Sequence, residues 1–283
     1  MSAWLFILPA AIAYGAFVFS PFFQTIWLGF FKWDGANPVR TWVGIANYIQ
    51  ASRDPIFWRA LSHNLIYLVL NLTLPVGIGL VLAALVASVR RGRTGYRFAL
   101  FVPHVLSLAI VGIIWGQIYD PNIGIVNQAL RAFGLEDLTR PWLGDPATVL
   151  VAIILSGVWH GFPFAFVIYL AGFQGIEPTL YDAAKIDGAN AIQSFFNVTL
   201  PSLRNVTNLL ISGAFIGSLT AYTLVWTMTK GGPFYASEVI STYIYKRAFE
   251  NDEVGYAAAL SVALAVIALS CTAAFIWLRE RND

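Results

Sequence analysis

The stretch Tyr181-Asp-Ala-Ala-Lys-Ile-Asp-Gly-Ala-Asn-Ala-Ile-Gln-Ser-Phe-Phe-Asn-Val-Thr-Leu-Pro-Ser-Leu-Arg204 lies between two charge-free apolar runs, 146–176 and 205–229. Runs of that length and polarity cross a bilayer, so the stretch between them is a loop of a membrane protein. Its own residues nevertheless predict a helix. Thr179, after Pro178, can cap a helix start, and Asp182 three residues later completes an acidic variant of the capping box. Leu180, Ala183 and Ala184 then share one helix face. Gly188 offers a place for that helix to stop or bend, and Pro201 limits the chain beyond it. Small side chains permit close backbone approach, and the helix dipole favours an acidic residue near the helix start. A short helix of this kind outside the bilayer is suited to being gripped by another protein. A helix that only skims the headgroups would carry more basic residues on its polar face than the lone Lys185.

Outward from this stretch, the arrangement of charge sets the architecture. Hydrophobic residues make up 58% of the 283-residue chain and charged residues 11%, against about 25% charged in soluble domains. All the charges fall in five loops and a short tail, leaving six charge-free windows: 1–31, 60–89, 98–119, 146–176, 205–229 and 254–278. Even the shortest window would give about 33 Å of helix, enough for a hydrocarbon core of about 30 Å. The runs are continuous rather than alternating, which argues against a barrel. The expected fold is an all-α polytopic membrane protein. One transmembrane domain over 1–283 carries spans at about 4–31, 61–88, 98–118, 148–173, 206–228 and 255–278, with the segment 179–204 between spans four and five. The first window is too long for a signal-peptide core and follows no charged leader, so it reads as a retained span. Cys271, alone inside the last span, reads as a small apolar filler. A net charge of +2 gives no reason to expect nucleic acid.

Arg90, Arg91, Arg93 and Arg97 crowd the turn after span two. By the positive-inside rule this turn is cytoplasmic. Both termini and the 179–204 segment are then cytoplasmic, with Arg279 and Arg281 of the tail on the same side and the net-negative loop 119–146 outside. No phosphate-binding loop of the Gly-x4-Gly-Lys-Ser/Thr type occurs, so the chain is not expected to hydrolyse ATP or to act as an enzyme. No Asp, Glu, Lys or Arg lies within a span, which counts against ion-coupled transport and against an intramembrane hydrolase. No metal-ligand cluster is visible, and no cofactor is expected in this chain.

The 181–204 segment resembles the cytoplasmic coupling motif of the permease subunits of ABC importers: Glu-Ala-Ala, two residues, Asp-Gly-Ala, five residues, Phe, two residues, Ile, one residue, Leu-Pro. Ala183, Ala184, Asp187, Gly188, Ala189, Phe195, Leu200 and Pro201 match at the right spacing, while Asp182 replaces Glu and Val198 replaces Ile. Trp42-Val43-Gly44-Ile45-Ala46-Asn47-Tyr48 and Met228-Thr229-Lys230-Gly231-Gly232-Pro233 are similar to further segments of the carbohydrate-type permeases. So is Trp159-His160-Gly161-Phe162-Pro163-Phe164 in span four. The likeness extends over nearly the whole chain, from about Pro9 to Trp277.

The resemblance implies a type I importer permease with six spans and a coupling helix, carrying a sugar or related polyol. It implies ATPase coupling through Asp182, Ala183, Ala184, Asp187, Gly188 and Ala189, and a substrate path past His160, Gly161, Phe164, Gly217, Ser218 and Tyr222. Implied partners are a second permease, two ATPase subunits that bind ATP-Mg, an extracytoplasmic solute-binding protein and the lipid of the inner or plasma membrane. The residues themselves leave alternatives open. Gly161 and Pro163 should loosen span four against a cavity, yet a kinked packing helix with a hydrogen-bonded His160 fits the same pattern. The small residues of span five also suit simple helix packing. A stand-alone channel gated by the 181–204 helix, and a scaffold without a path of its own, share the same composition.

Overall fold

The computed structural model describes residues 2–89 and 91–280. Arg90 and Arg281, used above for topology, lie outside the described residues, as does the side chain of Arg279. In chain order, α1 (Ser2–Tyr14) runs through a π-helical turn (Gly15–Phe19) into α2 (Ser20–Leu28). A two-stranded hairpin of β1 (Phe31–Lys32) and β2 (Thr41–Trp42) leads to α3 (Ala46–Arg53) and the long α4 (Pro55–Ser88). Then come α5 (Arg93–Val105), α6 (Leu108–Ile118), α7 (Ile125–Ala132), α8 (Val149–Gln174), α9 (Pro178–Ile186) and α10 (Ala191–Ser194). A second π-helical turn (Phe195–Thr199) precedes α11 (Leu200–Ser202), α12 (Arg204–Leu219), α13 (Thr223–Met228), α14 (Ile240–Phe249) and α15 (Val254–Glu280).

Among the described residues four helical stretches are long and apolar enough to cross a membrane: Phe6–Leu28, Pro55–Ser88, Val149–Gln174 and Val254–Ala273. The window expected as span three is instead a pair, α5 and α6, bent by 93°. Pro103 lacks an N–H to continue the ladder. Leu106 and Ser107 turn extended, and the Ser107 hydroxyl accepts from the Ile110 N–H at 3.4 Å to start the next helix. The window expected as span five is likewise divided, with α12 stopping at Leu219 and α13 starting at Thr223. Span four does not break. α8 passes through Gly161 and Pro163 as one helix.

The described chain forms two compact units, one built from the residues up to Leu61 together with those from Glu238 onward, the other from Ser62–Ser237. In the first, β1 and β2 pair antiparallel with Phe31 opposite Trp42. The Asn47 side-chain amide donates to the carbonyls of Gly29 and Phe31, both at 2.9 Å, where α2 has ended. Phe57, Ala60, Ile240, Tyr243, Tyr256 and Leu260 form the core.

An ionic knot sits at the edge of this core. Asp54 accepts from the Ile56 and Phe57 N–H groups at the start of α4 (2.8 and 3.4 Å), from the Tyr243 hydroxyl, and from the Tyr256 hydroxyl at 2.7 Å. Arg247 approaches Asp54 at 3.8 Å, donates to the Tyr243 oxygen at 2.6 and 2.9 Å, and pairs with Glu253 at 2.9 Å. Burial by itself would raise the Asp54 pKa. The bonds from Tyr243, Tyr256 and the two backbone amides outweigh it, and the carboxyl is held below its ordinary value. Glu238, fully buried, pairs with Lys246 and accepts from Thr242 at 2.6 Å.

In the second unit, Ala83, Ala165, Phe166, Tyr169, Leu203 and Leu210 pack into one core. Gly79 lets α4 meet α8, since a Cβ there would lie 2.6 Å from the Ala165 Cβ and 2.7 Å from the Phe166 nitrogen. Asn64, wholly buried on α4, donates to the carbonyls of Ser218 (2.9 Å) and Leu219 (3.4 Å), which the end of α12 leaves free. The loop expected on the outer side is organised by buried Asn127. Its amide donates to the Arg140 carbonyl at 2.9 Å, and its oxygen accepts from the Trp142 indole at 2.8 Å.

Replacing Asp54 with Ala strips the α4 start of its acceptor and leaves the Tyr243 and Tyr256 O–H groups without the carboxylate they donate to, a loss on the order of 2 kcal/mol. Because the folded carboxyl titrates below its unfolded value, its contribution is complete above about pH 4 and is lost as the pH falls through the folded value. Melting temperatures of the detergent-purified protein should therefore separate wild type from Asp54→Ala at pH 7 and converge towards pH 3. A gap that persists unchanged at pH 3 would rule out the carboxylate as its origin.

Candidate functional site

Two features of the second unit bring together most of the candidate residues named above: the surface of the α9–α10 segment and a cavity beside α8. α9 starts with Pro178 at its first position and Glu177 as the flanking residue. The expected Thr179 cap does not form, because Thr179 lies inside the helix and its hydroxyl is 3.4 Å from the Glu177 carboxylate. Proline in the first turn needs no donor there and takes over the role of helix start.

The helix ends as expected at Gly188, whose φ of +79° belongs to the left-handed region. The Ala189 N–H then reaches back to the Ala184 carbonyl at 2.9 Å, and the Gly188 N–H to that of Lys185 at 3.1 Å, closing the helix end. A capping box starts α10: the Asn190 oxygen accepts from the Gln193 N–H at 2.9 Å, and the Gln193 side chain accepts from the Asn190 N–H at 2.8 Å. The Tyr181 hydroxyl and the Thr199 Oγ1 lie 2.8 Å apart and tie α9 to the π-helical turn.

This fold-back brings Ala183, Ala184, Asp187, Gly188 and Ala189 to one groove of about 440 Å3, with Asn197 and Val198 on its other wall. Asp182 stands outside the groove, exposed and 3.1 Å from Lys185. Ile186 and Ile192 are 87% and 70% exposed on the same segment. Two large apolar side chains so far out of contact, beside a groove floored by alanine and glycine, suit a protein partner.

The cavity, of about 520 Å3, lies among α4, α5, α6, α8, α12 and α13. Of the residues expected on a path, Gly161, Phe164, Gly217 and Tyr222 line it. His160 and Ser218 do not. The Ser218 hydroxyl turns back to the Ala214 carbonyl at 2.7 Å, and its residue is fully buried. His160 Nε2 lies 3.0 Å from the Leu106 carbonyl, at the bend between α5 and α6. His104 Nδ1 in turn lies 3.0 Å from the His160 carbonyl. A carbonyl only accepts, so each of these ring nitrogens carries its proton. The two rings stand 4.9 Å apart, and His104 stacks on Phe164 at 5.5 Å.

The imidazole that faces the cavity is thus His104, together with Tyr67, Asn71 and Thr220. Sequence reading placed none of these on the path, because the bend that carries His104 into place is invisible in a hydropathy profile. Among the described residues no Asp, Glu, Lys or Arg lines the cavity. Its chemistry is that of a neutral, partly aromatic site with a few hydrogen-bonding groups. Among the described residues no cluster of His, Cys, Asp and Glu could hold a metal.

Residues 55–282 match the family model for the binding-protein-dependent transport system inner membrane component. A probable ABC transporter permease protein of Bacillus subtilis, YurN, is 36% identical over 94% of this chain and 92% of its own length. The diacetylchitobiose uptake system permease protein NgcF of Streptomyces coelicolor is 35% identical over 94% of this chain and 78% of its own. Among solved structures, a chain of a bacterial ABC transporter involved in the import of the acidic polysaccharide alginate superposes with a TM-score of 0.85 at 25% identity, covering 99% of this chain and 95% of that one.

At Gly188 the need is for backbone conformation rather than for space, since a Cβ there would meet nothing within 4 Å. Gly188→Ala should cost about 1–2 kcal/mol of local stability, while Gly188→Asn, which tolerates the left-handed region, should cost less. Amide exchange at Ala189 reads this directly. Equal protection in the two variants would contradict it.

Proposed function

We propose that this chain, which belongs to the family of binding-protein-dependent transport inner membrane components, is a translocation subunit of an ATP-driven importer for a sugar or related polyol. The observation that carries the coupling half of this reading is the groove at α9–α10, where Ala183, Ala184, Asp187, Gly188 and Ala189 meet beside exposed Ile186 and Ile192. An ATPase subunit that seats on this groove would move α9 as a lever when it closes. The helix would transmit that movement to the spans as alternating access. ATP-Mg belongs to that partner. A second permease, a second ATPase subunit and an extracytoplasmic solute-binding protein complete the assembly. The chain sits in the inner or plasma membrane, with six passes and both termini cytoplasmic.

The sugar half rests on the uncharged cavity and on the relatives named for saccharide uptake. A ring lies against Phe164 and Tyr222, while its hydroxyls meet Asn71, His104 and Thr220. His160 and Ser218 contribute to this path from behind, by holding the backbone that shapes it.

Pull-down of the tagged chain from mild detergent should recover an ATPase, and Ile186→Asp should abolish that recovery. Vesicles holding this chain alone should pass no sugar, and sugar flux there would favour a stand-alone channel instead. Phe164→Ala should lower sugar uptake about tenfold, as loss of a ring contact worth about 1–1.5 kcal/mol predicts, with ATPase recovery unchanged. Uptake at wild-type rate would take Phe164 off the path.

A further inference from the structure

At the end of α5 nearest the basic turn, two arginines one turn apart have different surroundings. Arg93 donates its Nε to the Val86 carbonyl at 3.2 Å and a second N–H to the Ala87 carbonyl. Arg97 has no such partner. Its Nε is buried and makes no hydrogen bond among the described residues. Leaving a guanidinium N–H dry and unpaired is costly, so an acceptor is expected to meet it when the protein is in its membrane.

Arg97 lines a groove of about 430 Å3 between α5 and α8. The polar lining comes from the first turns of α5 and the last residue of α8, as Thr94, Arg97 and Gln174. The rest is apolar, including Phe98, Val167 and Ala171. Among the described residues no acidic side chain lines the groove, and Phe98 is 72% exposed. A cation at one end of an otherwise greasy channel, on the flank of two helices and next to a cluster of arginines, matches one ligand chemistry: a negative head on a hydrocarbon tail.

We infer that this groove is a binding site for an anionic phospholipid, whose phosphate accepts from Arg97 and whose acyl chain lies along Phe98 and Val167. A guanidinium offers its N–H groups in a planar fork that fits a phosphate. The positive field of Arg91 and Arg93 selects a net negative headgroup over a zwitterionic one, and a buried tail covers apolar surface that is otherwise left open. The inference needs the chain to span a membrane but does not depend on which solute it carries.

Native mass spectrometry of the detergent-purified chain, with whatever subunits accompany it, tests this by titration with phosphatidylglycerol or phosphatidylcholine. Wild type should retain phosphatidylglycerol at least fivefold better than phosphatidylcholine, and Arg97→Gln should remove the preference. Ala171→Trp, which fills the groove and leaves the arginine in place, should lower phosphatidylglycerol retention as well and decides the matter if Arg97→Gln fails to fold. Equal retention of the two lipids by wild type, or undiminished retention by both variants, would overturn the proposal. So would a second membrane chain that cross-links to position 98 and excludes lipid, because the groove would then be a protein interface.

Discussion

A backbone carbonyl that leaves a helix inside a bilayer finds no water, so every interruption of a span must bring its own donor. This constraint accounts for three polar side chains that point into the structure. Asn47 answers the carbonyls of Gly29 and Phe31 past the end of α2. Asn64 answers Ser218 and Leu219 at the end of α12. His160 answers Leu106 at the bend between α5 and α6. Each is a side chain from a distant part of the chain, so each break depends on a tertiary contact. The breaks are therefore fixed features rather than frayed ends, and two of them border the same cavity.

The cavity follows from those breaks. A straight helix through 98–118 would not turn by 93°, and His104 reaches the cavity wall one residue before the chain leaves α5. The stop of α12 at Leu219 likewise leaves Thr220, Ala221 and Tyr222 as cavity lining in place of a helical turn. The carbonyls that need a distant donor and the polar groups that line the cavity thus come from the same short segments. That economy explains why two histidines 56 residues apart have different roles: His160 donates at the bend between α5 and α6, while His104 both holds α8 and presents its ring to the cavity.

Buried charge is handled in the same way in the first unit. Its two deeply placed carboxylates, Asp54 and Glu238, are networked. Asp54 serves as helix start, as acceptor for two tyrosines and as neighbour to Arg247. Burial and then its bond to Asp54 push the Tyr243 pKa up, so the hydroxyl remains a donor. Glu238 is wholly buried, and Lys246 and Thr242 meet its carboxylate there. The α9–α10 segment works the other way. It leaves Ile186 and Ile192 in the open and spends its polar groups on the Asn190–Gln193 cap, so its shape is settled internally while its face remains available.

Much of this was legible in the residues alone. The spacing of charge determined an all-helical membrane protein, because an ion inside hydrocarbon is too costly to place at random. The Asp187-Gly188-Ala189 run marked the end of α9, because only a residue free of a Cβ takes a φ of +79° without strain. The surface proposed for coupling was readable too, since the motif is local and its spacing survives in a short helix and turn. The interruption of spans three and five was not readable. Hydropathy averages over a window and is blind to the direction of the chain within it. The Thr179 cap failed for a related reason: Pro178 could begin the helix first, and local rules do not rank the two. Which histidine faces the cavity was decided only by tertiary structure, because His104 and His160 differ not in chemistry but in which distant carbonyl each is brought to meet.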